Sequence, residues 1–396
     1  MDWQVEKEAV RELAQEVVGM DVVGFTTAEA FTYIEERLRE AEDLGQTSGF
    51  EHHNIKERLS PRQHLAEASS IISFAIAYPA KPLYERDHEV GERRGQFARA
   101  SWGEDYHSVL HRYAKKLVER LTERYADLEA LTMVDTGALG DVAVAERAGV
   151  GFRGKNGLII TEEFGSYVYL GEIITNLPFP PDERLPDGCG DCTRCIDFCP
   201  TGALLGDGRM NAQVCLSYLT QTKGYIPEKY RRLVGTQLYG CDICQQVCPY
   251  NQGIDSHYHP ALEPSREQVE PELQPMLTMS NREFREKFGS LAGAWRGKKP
   301  LQRNAILALA NYRDRTAMPL LIRLMEEDPR PVIRGTAAYA LSLIERYQNE
   351  PLEEAVSGQL EKEEGQDETD SETVLEFQKA LERLQKKRPK RKRRRK

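Results

Sequence analysis

The chain has 396 residues, a formal net charge of −9 and 30% charged residues. No apolar run approaches the roughly eighteen residues that a membrane helix needs, and the N-terminus has no basic segment followed by an apolar one. These features argue against a membrane-spanning or exported class, and they predict a cytoplasmic protein of two or three domains.

The first 180 residues combine helical and strand-like patterns. Apolar residues recur at helical spacing over 5–18, 28–41 and 105–125, and strand-like runs cover 21–25, 70–76, 131–134, 157–160 and 167–174. A proline-rich joint at residues 178–181 ends this region. We therefore expect a mixed α/β domain over residues 1–180.

All eight cysteines lie in the next segment, and their spacing is that of a two-cluster ferredoxin. The first set reads Cys-x2-Cys-x2-Cys-x3-Cys-Pro, and the second reads Cys-x2-Cys-x3-Cys-Pro with a displaced cysteine as its first member. In this arrangement three closely spaced thiolates bind one cubane, and the cysteine before proline binds the other. The predicted ligands of cluster one are Cys189, Cys192, Cys195 and Cys248, and those of cluster two are Cys199, Cys215, Cys241 and Cys244.

Two other uses of these cysteines fit the pattern less well. Structural zinc sites also use Cys-x2-Cys pairs, but they usually join two well-separated pairs. A disulfide framework is not typical of a long cytosolic chain. We therefore predict a ferredoxin-type domain with two [4Fe–4S] clusters over residues 181–260, whose function is to move electrons.

The C-terminal part is predicted to be helical over residues 261–385. The segment 303–309 is echoed by 334–341, and 317–324 supplies a helix between them. Short helical pairs of this kind are similar to HEAT repeats, which stack to bury their inner faces. An acidic linker or frayed helix is expected over 350–376.

The last segment, residues 386–396, is basic at ten of its eleven positions. A cationic tail on an acidic chain indicates a polyanionic partner, nucleic acid above all. A solvated, disordered tail that aids solubility is the equally open alternative.

Four strings on either side of the first cysteine set carry a family resemblance. They are Val134–Gly137, Arg147–Asn156, Tyr169–Glu172 and Tyr239–Pro249. Their order, followed by the HEAT-like repeats, resembles the epoxyqueuosine reductase family over about residues 1–345. The resemblance implies an α+β multidomain protein, with a cobalamin-binding catalytic α/β domain, a two-cluster ferredoxin domain and a HEAT-like tRNA-binding domain.

The resemblance also implies a reaction and its partners. Epoxyqueuosine at the wobble position of a tRNA with a GUN anticodon would be reduced to queuosine, with two electrons and two protons consumed and water released. An external low-potential reductant of the flavodoxin or ferredoxin type would feed the clusters. We expect a monomer that contacts no membrane.

Asp135 is the candidate catalytic residue. It follows a predicted strand and precedes Thr136 and Gly137, where an aspartate could equally cap a helix or close a turn. The resemblance implies that it donates a proton to the departing oxygen. To do so at neutral pH it would need a pKa raised by burial against the corrin.

Further site residues lie in the stretches that match the family, although each could be an ordinary structural polar residue. The expected corrin contacts are Arg58, Asp135, Asn156, Ser217 and Asp242. Arg147 and Lys155 are expected to hold phosphates of the corrin tail or of tRNA, and Lys223 to touch RNA. A basic patch beside Trp295 is expected to face RNA and consists of Arg296, Lys298, Lys299 and Arg303.

The segment Asp105-Tyr106-His107 matches only the start of the Asp-x-His-x-x-Gly motif, whose histidine binds cobalt from below in many corrinoid proteins. In a predicted helix, His107 and His111 share one face, and we interpret both as ordinary helix residues. We therefore expect base-off cobalamin without a protein histidine ligand.

Three other functions compete with this interpretation. A plain ferredoxin-type electron carrier would not need the N-terminal domain of 180 residues. A corrinoid reductase of another substrate, similar to reductive dehalogenases, typically has an export signal and lacks HEAT-like repeats. A tRNA-binding scaffold with degenerate clusters is disfavoured because every ligand cysteine is present.

Overall fold

The structure is a computed structural model that describes residues 1–85, 91–345, 349–365 and 370–386. Its strands are β1 (Val22–Thr27), β2 (Ser70–Ala77), β3 (Gln96–Phe97), β4 (Ala130–Met133), β5 (Phe152–Arg153), β6 (Ile159–Ile160), β7 (Val168–Thr175) and β8 (Gln237–Tyr239). The basic tail predicted over 386–396 lies outside the described residues apart from Lys386. Within the described ranges, no helix is both long enough and apolar enough to cross a membrane.

The helices of the N-terminal and cysteine-rich parts are short apart from α4. They are α1 (Trp3–Glu12), α2 (Glu35–Asp43), α3 (Ile55–Leu59), α4 (Tyr106–Arg124), α5 (Asp141–Arg147), α6 (Arg194–Asp197), α7 (Leu216–Gln221), α8 (Glu228–Arg231) and α9 (Ile243–Gln246). The C-terminal part contains α10 (Arg266–Val269), α11 (Leu273–Thr278), α12 (Asn281–Phe288), α13 (Lys298–Tyr312), α14 (Met318–Glu327), α15 (Pro331–Ile344), α16 (Glu350–Glu364) and α17 (Ser371–Gln385).

A four-stranded sheet in the order β1-β2-β7-β4 organises the N-terminal part, and all its pairs are antiparallel. Every residue of β2 is buried because helices cover both faces of the sheet. Helices α1 and α4 pack on one face and α5 on the other. At Gly24 a Cβ would lie 2.1 Å from the carbonyl oxygen of Ala148, so α5 approaches β1 closely only because that residue is glycine.

The predicted elements of this part are largely confirmed, although the strand expected over 157–160 is limited to Ile159–Ile160 and two helices differ at their ends. The helix expected over 28–41 forms only from Glu35, because Thr32–Ile34 is a short 3₁₀ turn. The helix expected over 5–18 begins at Trp3 and changes to a π-helical turn over Leu13–Val18. Helix α4 begins after Asp105, whose side chain accepts a hydrogen bond from the backbone N–H of His107.

The cysteine-rich part has little regular structure. Two one-turn helices, α6 and α9, pack against one another; α6 contains Cys195 and α9 contains Cys244. Strand β8 pairs in parallel with β3, which ties this part to the N-terminal part.

The C-terminal helices pack against one another, as the repeat pattern predicts, with contacts between α14 and α15, α16 and α17, and across the pairs at α13–α15 and α15–α17. The largest hydrophobic core of the described residues includes Leu301 and Leu341 together with Leu216 and Leu238 from the cysteine-rich part. The domain boundary predicted near residue 260 therefore does not coincide with a break between hydrophobic cores. The two parts share one apolar interior, which holds them in a fixed arrangement.

Candidate active site and cluster ligands

The loop that joins β4 to α5 carries Asp135 on the surface of the N-terminal part. Its φ angle is +49°, in the left-handed region that few non-glycine residues adopt. Its backbone N–H donates to Oδ2 of Asp141, the first residue of α5, at 2.9 Å. The Asp135 side chain is 59% exposed, so the carboxylate can reach a bound substrate.

His107 lies between two carboxylates at the start of α4. Its Nδ1 is 2.7 Å from Oδ1 of Asp105, and its Nε2 is 3.2 Å from Oδ2 of Asp135. These two hydrogen bonds raise the pKa of His107 to about 9. His107 lies in α4 as expected, and its ring also pairs with Asp105 and Asp135, which the sequence did not indicate; that it is no cobalt ligand stays a prediction.

The same hydrogen bond acts in the opposite direction on the carboxylate. It is the main cause of a lowered pKa for Asp135, and a hydrogen bond with Tyr106 adds to it. In the protein alone, the raised pKa that the sequence analysis required of Asp135 is thus not found. The proton resides on His107, and the two side chains form an imidazolium–carboxylate pair.

Aromatic rings form the wall of this site. Tyr106 stacks on His107 at 4.1 Å and on Tyr169 at 4.6 Å between ring centroids. Burial, with the negative charges of Asp135 and Asp105 nearby, raises the pKa of Tyr239 to about 12. These phenols remain neutral at physiological pH and are hydrogen-bond donors.

A cavity of about 520 Å³ is lined by Asp105, the partner of His107. It extends from Asp105 to the helical part, where Trp295 and Lys298, just before and at the start of α13, line it. The indole N–H of Trp295 hydrogen-bonds to the Tyr239 hydroxyl, and Tyr239 also lies close to the charge of Asp135. The aromatic wall therefore joins the acid site, the His107–Asp135 pair, to the helical part.

The eight cysteines fall into two groups of neighbours. Cys248 and Cys189 pack together against Phe152 and Ile160. Burial raises the pKa of Cys248, with further contributions from the charges of Cys189 and Cys192; burial also raises that of Cys195, next to Cys189 and Cys248.

The second group surrounds Cys215. Burial raises the pKa of Cys241 to about 11, with contributions from the charges of Cys215 and Cys199, and it raises that of Cys244, next to Cys241 and Cys215. The two groups have the same members as the two predicted ligand sets. Within the described residues, no three metal-ligating side chains converge as they would around one ion. A cubane does not need such convergence, because each of its four thiolates binds a different iron.

The four other expected corrin contacts differ in what their side chains do. Arg58 on α3 is half-buried, and its guanidinium has no hydrogen-bond partner among the described residues. Asn156 is buried and accepts from the N–H of Leu158. Ser217 is half-buried on α7. Asp242 is buried, and its Oδ2 accepts from both the backbone and the guanidinium of Arg99.

Arg147 and Lys155, which were expected to hold phosphates, donate hydrogen bonds to other groups of the protein. Arg147 donates to Thr26 and to the carbonyls of Glu29 and Thr27. Lys155 donates from Nζ to the carbonyls of Gly190 and Cys192, and thereby holds the loop that carries the first cysteines.

The expectation that Arg303 faces RNA is wrong. Its side chain is 1% exposed and donates to the carbonyls of Leu219, Thr220, Thr222 and Gly224. This arginine joins α13 to the cysteine-rich part and is a structural residue.

The remaining basic residues are exposed or half-buried. Two of them also donate to backbone carbonyls, Arg296 to that of Gln221 and Lys298 to that of Met279. Lys223 is exposed, and Arg296 lies over the rings of Phe50 and Trp295. Lys298 and Lys299, at the start of α13, are half-buried. Trp295 itself is 52% exposed, so aromatic and cationic groups share this surface.

Three family models match the chain, and together they cover its three parts. They are "Epoxyqueuosine reductase QueG, DUF1730" over residues 58–136, "4Fe-4S double cluster binding domain" over 188–251 and "HEAT repeats" over 296–358. The second spans every cysteine of both groups, and the first ends just past Asp135.

Curated relatives match nearly the whole chain. The epoxyqueuosine reductase of Listeria monocytogenes is 55% identical over 343 residues, which are 87% of this chain and 90% of that protein. The epoxyqueuosine reductase of Bacillus subtilis is 52% identical over 379 residues, 96% of either chain.

Solved structures agree with the relatives. A crystal structure of epoxyqueuosine reductase with an epoxyqueuosine-modified tRNA-Tyr stem loop is 50% identical and covers 97% of this chain and 100% of that one, with a TM-score of 0.91. A structure of the Bacillus subtilis enzyme with its catalytic aspartate loop swung out of the active site is 49% identical with the same coverage and TM-score. The chain therefore belongs to the epoxyqueuosine reductase family.

Proposed function

We propose that this protein is an oxidoreductase that reduces epoxyqueuosine to queuosine at the wobble position of tRNA. Both C–O bonds of the epoxide break, a carbon–carbon double bond forms, and the oxygen leaves as water with two protons and two electrons. The observation that carries the proposal is the Asp135–His107 pair, in which an exposed carboxylate lies 3.2 Å from an imidazole nitrogen that holds a proton.

The proposed proton path begins with two neighbouring atoms, Nε2 of His107 and Oδ2 of Asp135. A proton on Nε2 of His107 can pass to Oδ2 of Asp135, 3.2 Å away, and from that carboxyl group to the departing oxygen. Asp105 accepts from Nδ1 of the same ring and so fixes its orientation. The phenol of Tyr106, which also hydrogen-bonds to Asp135, keeps the carboxylate turned toward the ring.

Electrons are proposed to arrive through two [4Fe–4S] clusters held by the two groups of four cysteines. Cluster one would take Cys189, Cys192, Cys195 and Cys248, and cluster two would take Cys199, Cys215, Cys241 and Cys244. Contact between α6 and α9, and the effect of the Cys195 charge on Cys244, support placing the two clusters side by side. Lys155 donates its backbone N–H to Sγ of Cys189 at 3.4 Å, which stabilises a thiolate there.

Cobalamin is proposed as the group between the clusters and the substrate. When bound, it would supply a cobalt centre that can engage carbon, which no side chain can do. Arg58, Asn156 and Ser217 are proposed to hold it, and Arg58 fits best because its half-buried guanidinium lacks a protein partner among the described residues. Asp242 would act indirectly, by holding Arg99. Both ring nitrogens of His107 are hydrogen-bonded to carboxylates, which supports a base-off state without a histidine ligand.

The RNA is proposed to lie across the surface formed by Lys223, Trp295, Arg296, Lys298 and Lys299. Exposed aromatic rings among cations suit single-stranded loops, whose bases stack while their phosphates are neutralised. The proposed substrate is a tRNA with a GUN anticodon. A flavodoxin- or ferredoxin-type protein is proposed as reductant, a monomer as the working form and the cytoplasm as the location.

The direct test uses the reconstituted holoenzyme, a low-potential reductant and tRNA that carries epoxyqueuosine. After digestion, mass spectrometry of the nucleosides should show a loss of one oxygen atom. The same tRNA with the metal-free protein is the control. If the nucleoside mass stays unchanged with fully loaded enzyme, the proposed reaction is excluded.

A further inference from the structure

A glutamate lies inside the central sheet, at a position where its neighbours are apolar. Glu172 on β7 is 0% exposed. On the same strand face, Leu170 and Ile174 belong to the hydrophobic clusters under α5. Its partners across the sheet are Ser73 and Met133, which carry no charge.

The carboxyl group of Glu172 lies next to the carboxyl group of Asp141. No N–H or O–H donor of the other described residues reaches either of its oxygens, and Oδ1 of Asp141 likewise lacks such a donor. The two carboxyl groups hydrogen-bond to each other, and burial raises the pKa of both. Because two carboxylates repel one another, this hydrogen bond requires that one of them carries a proton.

The pair is connected to the active-site loop through Asp141. The second oxygen of Asp141, Oδ2, accepts the backbone N–H of Asp135 at 2.9 Å. That hydrogen bond holds a residue whose φ angle of +49° is unfavourable for an aspartate. The conformation that places Asp135 beside His107 therefore depends on Asp141, and Asp141 depends on Glu172.

We propose that Glu172 is a positioning residue, and that the single proton it shares with Asp141 holds the Asp135 loop in its active conformation. With that proton present, the pair carries one negative charge and Asp141 accepts from the loop. Without it, the two buried carboxylates would repel each other and the Asp135 carboxylate. Turning the Asp141 side chain toward water would relieve that repulsion. The N–H of Asp135 would then lose its acceptor and the loop would move.

The groups that face the pair are few. Asp141 comes from α5 and Asp135 from the loop, and His107 acts only through Asp135. From β2, Ser73 contributes a hydroxyl group that has no partner among the described residues. The strands on either side thus supply no cation that could replace the shared proton.

The first measurement asks where the proton is. Infrared spectra of protein with 13C-labelled glutamate should contain a protonated-carboxyl C=O band at neutral pH. That band should be absent from Glu172→Gln and present in the control Glu146→Gln, which makes the same change on α5 away from the pair. If no such band is lost in Glu172→Gln, Glu172 is not protonated and the proposal is overturned.

The second measurement asks whether the proton holds the loop. Hydrogen exchange of peptides covering residues 134–140, corrected for base catalysis, should show protection that is lost at alkaline pH with the same midpoint as the infrared band. Glu172→Gln cannot become a second anion, so it should keep that protection to a pH at least about one unit higher. Loss of protection at the same pH in both proteins would overturn the proposal.

A further variant covers the case in which Glu172→Gln does not fold. In Asp141→Asn the like charge is absent, so Glu172 should ionise at a lower pH and the infrared band should titrate earlier. An unshifted band would contradict the proposal. The inference rests on the proposed role of Asp135, but neither readout needs substrate. Failure of the reductase assay would therefore leave these results standing, and their failure would leave the reductase proposal intact.

Discussion

The two reactive regions of this protein control charge in opposite ways. In the cysteine region burial raises the pKa values of Cys195, Cys215, Cys241 and Cys248, so these thiols favour the neutral form without metal. In the second region, the acid site formed by His107 and Asp135, the Asp135 side chain is exposed and its hydrogen bond with His107 lowers its pKa. These four thiols therefore become thiolates when a metal displaces their protons, whereas the acid site is already ionised. Cys199 is an exception in the cysteine region, because hydrogen bonds from Thr201 and Ala203 outweigh its burial and lower its pKa.

This difference has a functional consequence. Thiols that are partly or fully buried, such as Cys189 and Cys248 packed against Phe152 and Ile160, suit clusters that must transfer electrons. An imidazolium–carboxylate pair with an exposed carboxylate suits a group that must take up a proton from solvent after each turnover. Variants that affect one region should therefore leave the other intact.

The largest effect is expected from a change in the cysteine region. Cys248→Ser should remove cluster one although Cys248 is far along the chain from Cys189, because the two pack together. Iron content after anaerobic reconstitution should fall from about eight to about four per chain. Activity should be lost, whereas the pKa of His107 beside Asp135 should stay unchanged. Full iron content in this variant would contradict the crossover of ligands between the two motifs.

Asp135→Asn tests the other region. It retains the shape and polarity of the side chain but cannot donate the proton, so the single-turnover rate should fall roughly a hundredfold. Iron content, cobalamin loading and tRNA affinity should remain unchanged. Asp127→Asn, on the surface before β4, is a suitable control for the substitution itself. If cofactor loading fails in Asp135→Asn, the residue has an architectural rather than a catalytic function.

The two regions also differ in how well the sequence predicts them. The predicted cysteine ligands lie in short motifs whose spacing is set by the cluster, so both ligand sets could be proposed from the sequence alone. In the fold, the members of each predicted set are neighbours of one another. The acid site is assembled from the start of α4 and the end of β4, which are about 30 residues apart. Asp135 was found only through the family resemblance. His107 was missed, although an aspartate N-cap two residues before a histidine is a local signal for an oriented imidazole.

In the helical part, the positive charge of a side chain did not predict whether that side chain is exposed to solvent. Arg303 and Lys299 both stand at the start of α13, and the sequence analysis placed both in one RNA-facing patch. Arg303 is fully buried because α13 packs on the cysteine-rich part with one side and on α15 with the other. A helical repeat that has neighbours on two sides buries polar residues that a periodicity argument assigns to solvent.

A smaller effect is expected from His107. Its pKa of about 9 lies above the usual 6.5, so the rate should be constant at neutral pH and fall as pH rises through about 9. His107→Gln keeps a hydrogen bond to Asp135 but holds no titratable proton. Its rate should be lower by roughly tenfold, and this alkaline decline should vanish.

The same raised pKa predicts how His107 contributes to stability. The imidazolium stabilises the folded protein below about pH 6.5, and that contribution is lost as pH rises toward 9. Thermal melting of the wild-type protein should therefore decline across this window more steeply than that of His107→Gln. Parallel declines in the two proteins would mean that the proton is not held by this residue.

The smallest effect is expected from the basic tail, residues 386–396. Ten positive charges can displace condensed counterions from RNA but cannot read bases, so the tail should add affinity without selecting the substrate. Deleting it should weaken tRNA binding mainly at low salt and flatten the dependence of log Kd on log salt. A variant with the same tail residues in permuted order should behave as the wild type, because composition rather than sequence supplies the charge. The truncated enzyme should also keep its rate at saturating tRNA, since the tail is separate from the Asp135 loop and from both groups of cysteines in sequence. An unchanged salt slope after deletion would assign the tail to solubility, and a changed preference among tRNAs would mean that it reads structure as well as charge.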